Sequence, residues 1–174
     1  MKIGKKLVTM IMMCLLMTCL AGCKSEDATG KEDVADQAGS NKTTTEREID
    51  CAALAEELKG LITDDTMNFQ EKDMVISVYG LKENLIKDSY VYLSSGTTAN
   101  EIAIFECSSE KAAQEVEAFL VGRCAQREKS YESYAPAEAK KLKAGNYVLG
   151  VNGNYVILVV MENAEQAKDI INKY

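Results

Sequence analysis

The chain has 174 residues, with 20 Lys and Arg against 27 Asp and Glu, no His, no Trp and one Pro. The absence of His excludes the usual catalytic triads and every His-based metal site. A net charge of -7 and an isoelectric point near 4.8 argue against nucleic acid as a partner, because its binding requires a basic surface. With 47% apolar and 27% charged residues, most of the chain is expected to be globular.

The amino-terminal residues have the pattern of an export signal. Three Lys lie within the first six residues, and residues 7–20 form an apolar run of 14. This run is short for a membrane span, which needs about 20 residues, but it is typical of a signal peptide. Residues 1–22 are therefore predicted to be a signal peptide, with an ordinary secretory signal as the alternative to the lipoprotein signal considered next.

The sequence at Leu20–Cys23, Leu-Ala-Gly-Cys, resembles the lipobox of bacterial lipoproteins. The resemblance implies a diacylglyceryl group on the Cys23 sulfur and cleavage just before that residue. Localisation would then be the outer face of the cytoplasmic membrane of a Gram-positive cell, with the membrane as a partner through the lipid. The mature chain would carry 17 basic and 27 acidic residues, a net charge of -10, so the lipid and not charge would hold it there.

The remaining chain divides into a tether and one domain. Residues 23–46 contain a single large apolar residue, Val34, and this composition predicts a flexible tether behind the lipidated Cys. Residues 47–174 are 128 residues, enough for one domain with a real core.

Two helices are predicted to open the domain. The sequence Thr45-Glu46-Arg47-Glu48 is a capping-box pattern, and it predicts a helix that continues to about Ile62. Residues 71–80 are ambiguous: β-branched residues favour a strand, whereas the spacing of Met74 and Val78 before Gly80 favours a short helix, the assignment preferred here. The predicted apolar stripe of the first helix is Ile49, Ala52, Leu54, Leu58, Leu61 and Ile62.

Two ββα units follow. Residue types predict a first hairpin with a turn-rich loop and a second hairpin with a type I′ turn at Asn152-Gly153, and a helix follows each hairpin. Both strands of the second hairpin are apolar on both faces, so they require cover on two sides. The expected fold is α+β: a four-stranded antiparallel sheet with both ββα helices on one face and the amino-terminal helices, or a partner, on the other. The predicted strands are Tyr90–Leu93, Glu101–Cys107, Asn146–Val151 and Asn154–Met161, and the predicted helices are 109–133 and one capped by Asn163.

Several stretches of this domain resemble a bacterial family of domains of unknown function, DUF4358. The sequences that carry the likeness are Tyr90–Gly96 and Ala99–Phe105 in the first half, and Tyr134–Glu138 and Gly153–Val156 in the second. The likeness extends over about 48–174. Its members are typically short lipoproteins of Gram-positive bacteria, and the resemblance implies no activity, substrate or catalytic residue.

Three cysteines lie in the predicted domain: Cys51, Cys107 and Cys124. Their number is odd, and no C-x-x-C motif or His accompanies them, so metal and redox motifs lack their spacing. Cys107 alternates with apolar strand residues and Cys124 lies on the apolar stripe of its helix. Both are predicted to be buried free thiols, with a disulfide or thiol chemistry as the alternatives.

For the other candidate residues, a structural role and a functional role are both compatible with the sequence. The loop Ser94–Asn100 suits a plain hairpin connection better than an anion cradle or a Ser95 nucleophile, because no His base exists and a Ser-Lys pair has no motif here. Adjacent carboxylates such as Glu56-Glu57 and Asp64-Asp65 point in different directions and are not expected to converge. Four tyrosines around the second hairpin suit either a stacking platform for sugar or peptide or the rim of the core: Tyr131, Tyr134, Tyr147 and Tyr155.

Elimination then favours one of three function classes. The favoured class is a non-catalytic, lipid-anchored module that binds an envelope protein, peptide or other component, without a cofactor or metal. The second is an envelope hydrolase built on Glu, Ser, Tyr or Lys, which would show a deep cleft holding a desolvated carboxylate; Ser95→Ala and Glu101→Gln are substitutions that would test it. The third is an accessory subunit of a membrane complex, marked by a large exposed apolar face.

Overall fold

A five-stranded antiparallel sheet forms the centre of the domain in the computed structural model, which describes residues 48–174. The strands run in the order β1-β2-β3-β5-β4: β1 (Asn68–Gln70), β2 (Ile86–Leu93), β3 (Glu101–Cys107), β4 (Val148–Asn152) and β5 (Tyr155–Val160). The helices are α1 (Cys51–Lys59), α2 (Lys72–Tyr79), α3 (Glu110–Glu132), α4 (Pro136–Lys141) and α5 (Gln166–Ile171). The α+β class is confirmed. The predictions for the signal peptide, Cys23 and the tether lie outside the described residues.

Both faces of the sheet are covered, because β3 and β5 are apolar on both sides. All six residues of β5 are buried, and successive side chains point to opposite faces. One face packs against α2, α3 and α4 through residues such as Phe105 and Leu158. The other packs against α1 and α5 through residues such as Ile104 and Ile157. The domain therefore has two apolar cores, one on each side of the sheet.

The prediction of the sheet was wrong in two respects: the number of strands and the placement of the helices. The observed sheet has five strands and not four, because β1 pairs with the end of β2, with Phe69 opposite Tyr92. This strand has only three residues and no alternating apolar pattern that would reveal it in the sequence. The helices α3 and α5 lie on opposite faces and not on one, because α1 has only nine residues and α5 completes the cover beside it. Of the two amino-terminal helices only α1 covers the face opposite α3, since α2 packs on the same face as α3.

The predicted helices are confirmed in part. The helix over 71–80 exists as α2 and ends at Gly80, whose φ of 69° is the left-handed conformation of a glycine helix end. The long helix over 109–133 exists as α3, with the Ser109 side chain accepting a hydrogen bond from the backbone N of Ala112 at 3.1 Å.

The starts of the other two helices were predicted wrongly. The first helix begins at Cys51, because Asp50 caps it by accepting a hydrogen bond from the Ala53 N at 3.0 Å. Its buried face includes Leu54 and Leu58 as predicted, whereas Ala52 is exposed. The last helix does not start at Asn163, whose φ of 56° is left-handed and incompatible with an N-cap.

The turn of the second hairpin also differs from the prediction. Asn152 pairs with Tyr155, so the two loop residues are Gly153 and Asn154. Of these residues only Gly153 has a positive φ, 57°, which places glycine at the first central position as in a type II′ turn. The turn is tied to the end of β3, since the Cys107 N donates to the Asn154 O at 2.7 Å.

Candidate ligand-binding site

Two polar residues are buried where β3 begins. Asn100 is 1% exposed and Glu101 is fully buried, although the next four residues of the strand, 102–105, are apolar. Side chains alternate along a strand, so Glu101 lies on the same face as Ala103 and Phe105, the face covered by α2 and α3. A carboxylate buried there needs partners of opposite charge or hydrogen-bond donors.

The partners of Glu101 come from α2 and α3. Its Oε1 accepts a hydrogen bond from the Tyr79 hydroxyl at 2.5 Å, and its Oε2 accepts one from Nη1 of Arg127. The Nε of Arg123 lies 3.6 Å from Oε1. Arg127 also donates to the backbone O of Ala99 at 3.3 Å. Tyr79 and the two arginines thus surround the carboxylate on the side away from the sheet.

The charges of this cluster stabilise one another. Burial acts to lower the pKa of Arg127, but Glu101 together with Tyr131 and Tyr79 outweighs burial, and the net pKa is raised above its usual value. Burial and then the charge of Glu101 hold the pKa of Tyr79 well above its usual range, so the phenol stays protonated and donates. Two guanidinium groups and one carboxylate leave the cluster with a net charge of +1.

A second polar cluster joins α4 to the same end of β3. The Nζ of the buried Lys141 donates to Oδ1 of Asn100 at 3.0 Å and lies 3.1 Å from Oε2 of Glu138. The same Glu138 oxygen accepts from the Ala99 N at 2.6 Å, and Oδ2 of Asp65 accepts from the Asn100 side chain at 3.4 Å. These groups are paired with one another, which indicates a structural role in fixing the start of β3.

A cleft of about 520 Å³ lies between α2 and α3, beside the Glu101 cluster. Val78 and Phe119 form its apolar walls, and Arg123 and Arg127 line its interior with side chains 18% and 20% exposed. Gly122 opens the space, since a Cβ there would meet no atom within 4 Å. The lining contains these two cations and no acidic residue. A volume of this size and this mixture of groups suit a small ligand or a peptide end.

The three cysteines of the described residues are free and buried, as predicted for Cys107 and Cys124. Burial raises the pKa of the Cys51 and Cys124 thiols to about 12 and that of Cys107 to about 11. Thiols with such pKa values are protonated at neutral pH and are poor nucleophiles. They are core residues.

The loop and the paired carboxylates have the structural roles expected from the sequence: a plain hairpin connection and carboxylates that do not converge. Ser95 is exposed, and its hydroxyl has only the Thr97 hydroxyl as a neighbour, at 3.5 Å. Glu56 pairs with Lys59 and Tyr92, whereas the adjacent Glu57 accepts from Lys173 and Tyr174. Asp64 is exposed while Asp65 belongs to the second polar cluster, so neither carboxylate pair converges on one point.

The four tyrosines are not brought together as a platform. Tyr131 and Tyr134 are neighbours, with ring centroids 5.2 Å apart, but the Tyr131 hydroxyl is used to donate to the Thr98 O at 2.7 Å. Tyr155 belongs to the core on the opposite side of the sheet. Tyr147 packs against the core on the α3 side, so the four tyrosines do not form one stacking platform.

Sequence reasoning named Glu101 only as a residue to mutate and missed its partners. One signal was present: Glu101 stands directly before four apolar strand residues, and Arg123 and Arg127 lie four residues apart on one face of a helix. Within residues 48–174, no three His, Cys, Asp or Glu side chains converge as a metal site requires. No helix in the same range is both long and apolar enough to span a bilayer.

The class that this structure defines is a small α+β domain whose central antiparallel sheet is covered by helices on both faces. Residues 61–161 match the family described as "Domain of unknown function (DUF4358)", and the chain belongs to that family. The matched region runs from the end of the first helical segment to Met161, so it includes the whole sheet, the Glu101 cluster and the cleft. No curated protein and no solved structure matches the chain.

Proposed function

We propose that the protein is a lipid-anchored binding module on the outer face of the cytoplasmic membrane, with its ligand site in the cleft between α2 and α3. The Leu20–Cys23 sequence supports an anchor at Cys23. The composition of 23–46 supports a flexible tether with a root-mean-square reach on the order of 25–30 Å. The partners would be the membrane, through the lipid, and an envelope protein or peptide.

The observation that carries this proposal is the lining of the cleft. It combines two partly accessible arginines with apolar walls and contains no acidic side chain, within a chain whose net charge is negative. Met74, Val78 and Phe119 are large apolar residues exposed by 53%, 44% and 36%, and the last two form the cleft walls. Exposed apolar groups around a cationic centre are typical of a recognition surface.

The cleft supports binding better than catalysis. A general base must reach the proton that it removes, but both Glu101 oxygens are engaged and the side chain has no exposed surface. The Tyr79 phenol is held in its protonated form, so it is no base either. For Glu101 to act as the base in hydrolysis, its carboxylate would have to break its interactions with both Arg123 and Arg127.

The hydrolase alternative is tested by activity profiling. The metal-free full chain is assayed against peptidoglycan, peptide, ester and glycoside substrates, and we expect no turnover. Turnover that is abolished by Ser95→Ala or Glu101→Gln in a folded variant would establish an enzyme. The remaining alternative, an accessory subunit, has less support because helices cover both faces of the sheet.

The binding site is tested by blocking the cleft. Gly122→Trp fills space that is empty, and a residue other than Gly is tolerated at a helix position. Ala125→Trp is the matched control, because Ala125 is exposed on α3 and does not line the cleft. We expect immobilised Gly122→Trp protein to lose most of its retention of solubilised envelope components and Ala125→Trp to keep it. Equal retention by both variants would place the site elsewhere.

The anchor is tested by Cys23→Ala in producing cells. We expect the variant to remain unprocessed or to leave the lipidated membrane fraction, because the acceptor sulfur is gone. Unchanged lipid labelling of Cys23→Ala would contradict the lipoprotein proposal without bearing on the cleft.

A further inference from the structure

Arg123, one of the two arginines that line the cleft, is held in place although its N–H groups donate no hydrogen bond within the described residues. Arg127 donates to Glu101 and to Ala99, whereas Arg123 donates no hydrogen bond to any of residues 48–174. Its Nε is buried without a hydrogen-bond partner, 3.6 Å from Oε1 of Glu101, and its Cζ lies 4.2 Å from the centroid of the Tyr79 ring. Stacking on the ring and the attraction of Glu101 therefore orient a guanidinium group whose remaining donors line the cleft.

The net positive charge of the cluster would be neutralised by a ligand with one negative charge. Arg123 and Arg127 together with Glu101 sum to +1, and the other cleft residues are uncharged. A guanidinium group binds a carboxylate through two parallel hydrogen bonds, and the pair is then neutral. A phosphate monoester carries about -1.5 to -2 charges at neutral pH, which exceeds the net charge of the cluster.

The apolar walls lie at a distance that suits the end of a peptide. Phe119 precedes Arg123 by four residues on α3, which is about 6 Å along the helix axis. Val78 faces it from α2. Side chains four residues apart on a helix are neighbours, so a single peptide residue could place its carboxylate at Arg123 and its side chain against Phe119. The exposed polar side chains of Gln126 and Ser130 follow along α3 in the other direction, where the preceding peptide groups would lie.

We propose that the cleft binds the free C-terminal carboxylate of a peptide whose last residue is apolar. Arg123 holds the carboxylate, while Val78 and Phe119 contact the last side chain. This inference rests on the proposed function and specifies its ligand class. Both a protein carboxyl terminus and a short envelope peptide present this chemistry, and the configuration of the last residue distinguishes them.

The test compares peptides that differ only at the terminus. The full chain in lipid nanodiscs is titrated with the N-acetylated tripeptide Gly-Gly-Leu as the free acid and as its amide. We expect the acid to bind at least tenfold tighter, since the amide lacks the charge that Arg123 pairs with. Tripeptides ending in D-Ala and in L-Ala then assign the source: preference for the D form indicates an envelope peptide, and preference for the L form a protein terminus. Either preference supports the proposal, provided that the free acid is required.

Variants locate the carboxylate contact. Arg123→Gln is expected to remove the difference between acid and amide, and Arg123→Lys to restore part of it. Lys129→Gln removes a positive charge from an exposed position of the same helix and is expected to leave binding unchanged. Thermal melts confirm that each variant is folded, and the acid and amide comparison on the unaltered protein does not depend on any variant.

Three results would overturn this inference: equal affinity for acid and amide, full binding by folded Arg123→Gln protein, or stronger competition by inorganic phosphate than by the free acid. If Gly122→Trp still abolishes retention of envelope components in that case, the cleft is a binding site for another ligand and the proposed function stands. If Gly122→Trp has no effect either, both fail.

Discussion

The two ββα units share an order of elements but bury different chemistry. In the first unit, β3 begins with the buried Glu101, and α3, with 23 residues, supplies the arginines that compensate it. In the second unit, β5 is apolar throughout, and α5 has six residues and contributes only apolar side chains to its core. The second unit therefore contributes apolar packing, whereas the first carries the buried charges and, under the proposed function, the side chains that bind the ligand.

The largest expected effect comes from removing the charge at the head of β3. Glu101→Ala leaves two arginines in a largely buried place without their counter-charge, and breaking such a pair is expected to lower the free energy of unfolding by about 3–5 kcal/mol. Val160 is directly opposite in the sheet and is the matched control in the second unit. Val160→Ala should lower the free energy of unfolding by only about 2 kcal/mol, because it removes two methyl groups and leaves a small cavity. Urea unfolding of both variants measures the difference.

The control for this prediction replaces the Glu101–Arg127 pair with apolar groups. Glu101→Leu combined with Arg127→Met is expected to recover part of the stability lost in Glu101→Ala, because two of the three charges are removed together and only Arg123 loses its counter-charge. A loss below about 1 kcal/mol for Glu101→Ala would mean that the arginines turn to solvent without penalty. The contrast between the two units would then be one of composition only.

Local signals made much of the fold predictable. The long helix was predicted from the Ser109 cap and apolar spacing, and the second hairpin from its flanking strands and Gly153, all of which act within a few residues. Placement of α3 and α5 on opposite faces was not predictable in this way. It depends on how much of each sheet face α1 leaves uncovered, which is a property of the packed domain.

The candidate site depends on contacts between residues far apart in sequence. Tyr79 and Glu101 are 22 residues apart, and Arg127 follows another 26 residues later. A Glu placed directly before four apolar strand residues indicates an unusual environment, but only packing shows that α2 and α3 supply its partners. The cleft itself depends on the absence of a side chain at Gly122 and on the distance between two helices.

The thiols provide a pH-dependent contrast, since Cys107 and Cys124 belong to the first unit and the second contains none within the described residues. Burial raises the pKa of Cys107 to about 11 and that of Cys124 to about 12, above the value near 9 of an exposed thiol. Between pH 9 and 11 the unfolded chain therefore loses protons that the folded chain keeps. Stability is expected to fall over this range, by at most about 1.4 kcal/mol per thiol and pH unit.

Urea midpoints measured from pH 8 to 10.5 check this prediction. The double variant Cys107→Ala and Cys124→Ala is expected to be less stable at pH 8 but to lose less stability as the pH rises. Other groups titrate in the same range, so the difference in slope between the two proteins is the decisive quantity. Identical slopes would show that the thiols titrate alike in the folded and unfolded chains.

The two hairpin turns differ in how well they can absorb a substitution. Gly153 has a φ of 57° in a two-residue loop, whereas Gly96 has a φ of 101° in a longer loop. Gly153→Val is expected to lower the free energy of unfolding by about 1–3 kcal/mol, because a β-branched residue resists positive φ and the tight turn cannot adjust. Gly96→Val should lower it less, since its loop has freedom to rearrange. Thermal melts without a shift for Gly153→Val would contradict the turn geometry.

The smallest expected effect concerns how the helices of the two units begin. The Ser109 hydroxyl caps α3 by accepting from the Ala112 N, whereas the side chain of Glu165, at the start of α5, makes no capping hydrogen bond. Ser109→Ala should therefore lower the free energy of unfolding by about 1 kcal/mol. Glu165→Ala should lower it by less than about 0.5 kcal/mol, since it removes only an exposed pair with Lys168. Equal losses in chemical denaturation would mean that α3 is held by packing on the sheet alone. Its cap would then contribute nothing to positioning the arginines four turns further along.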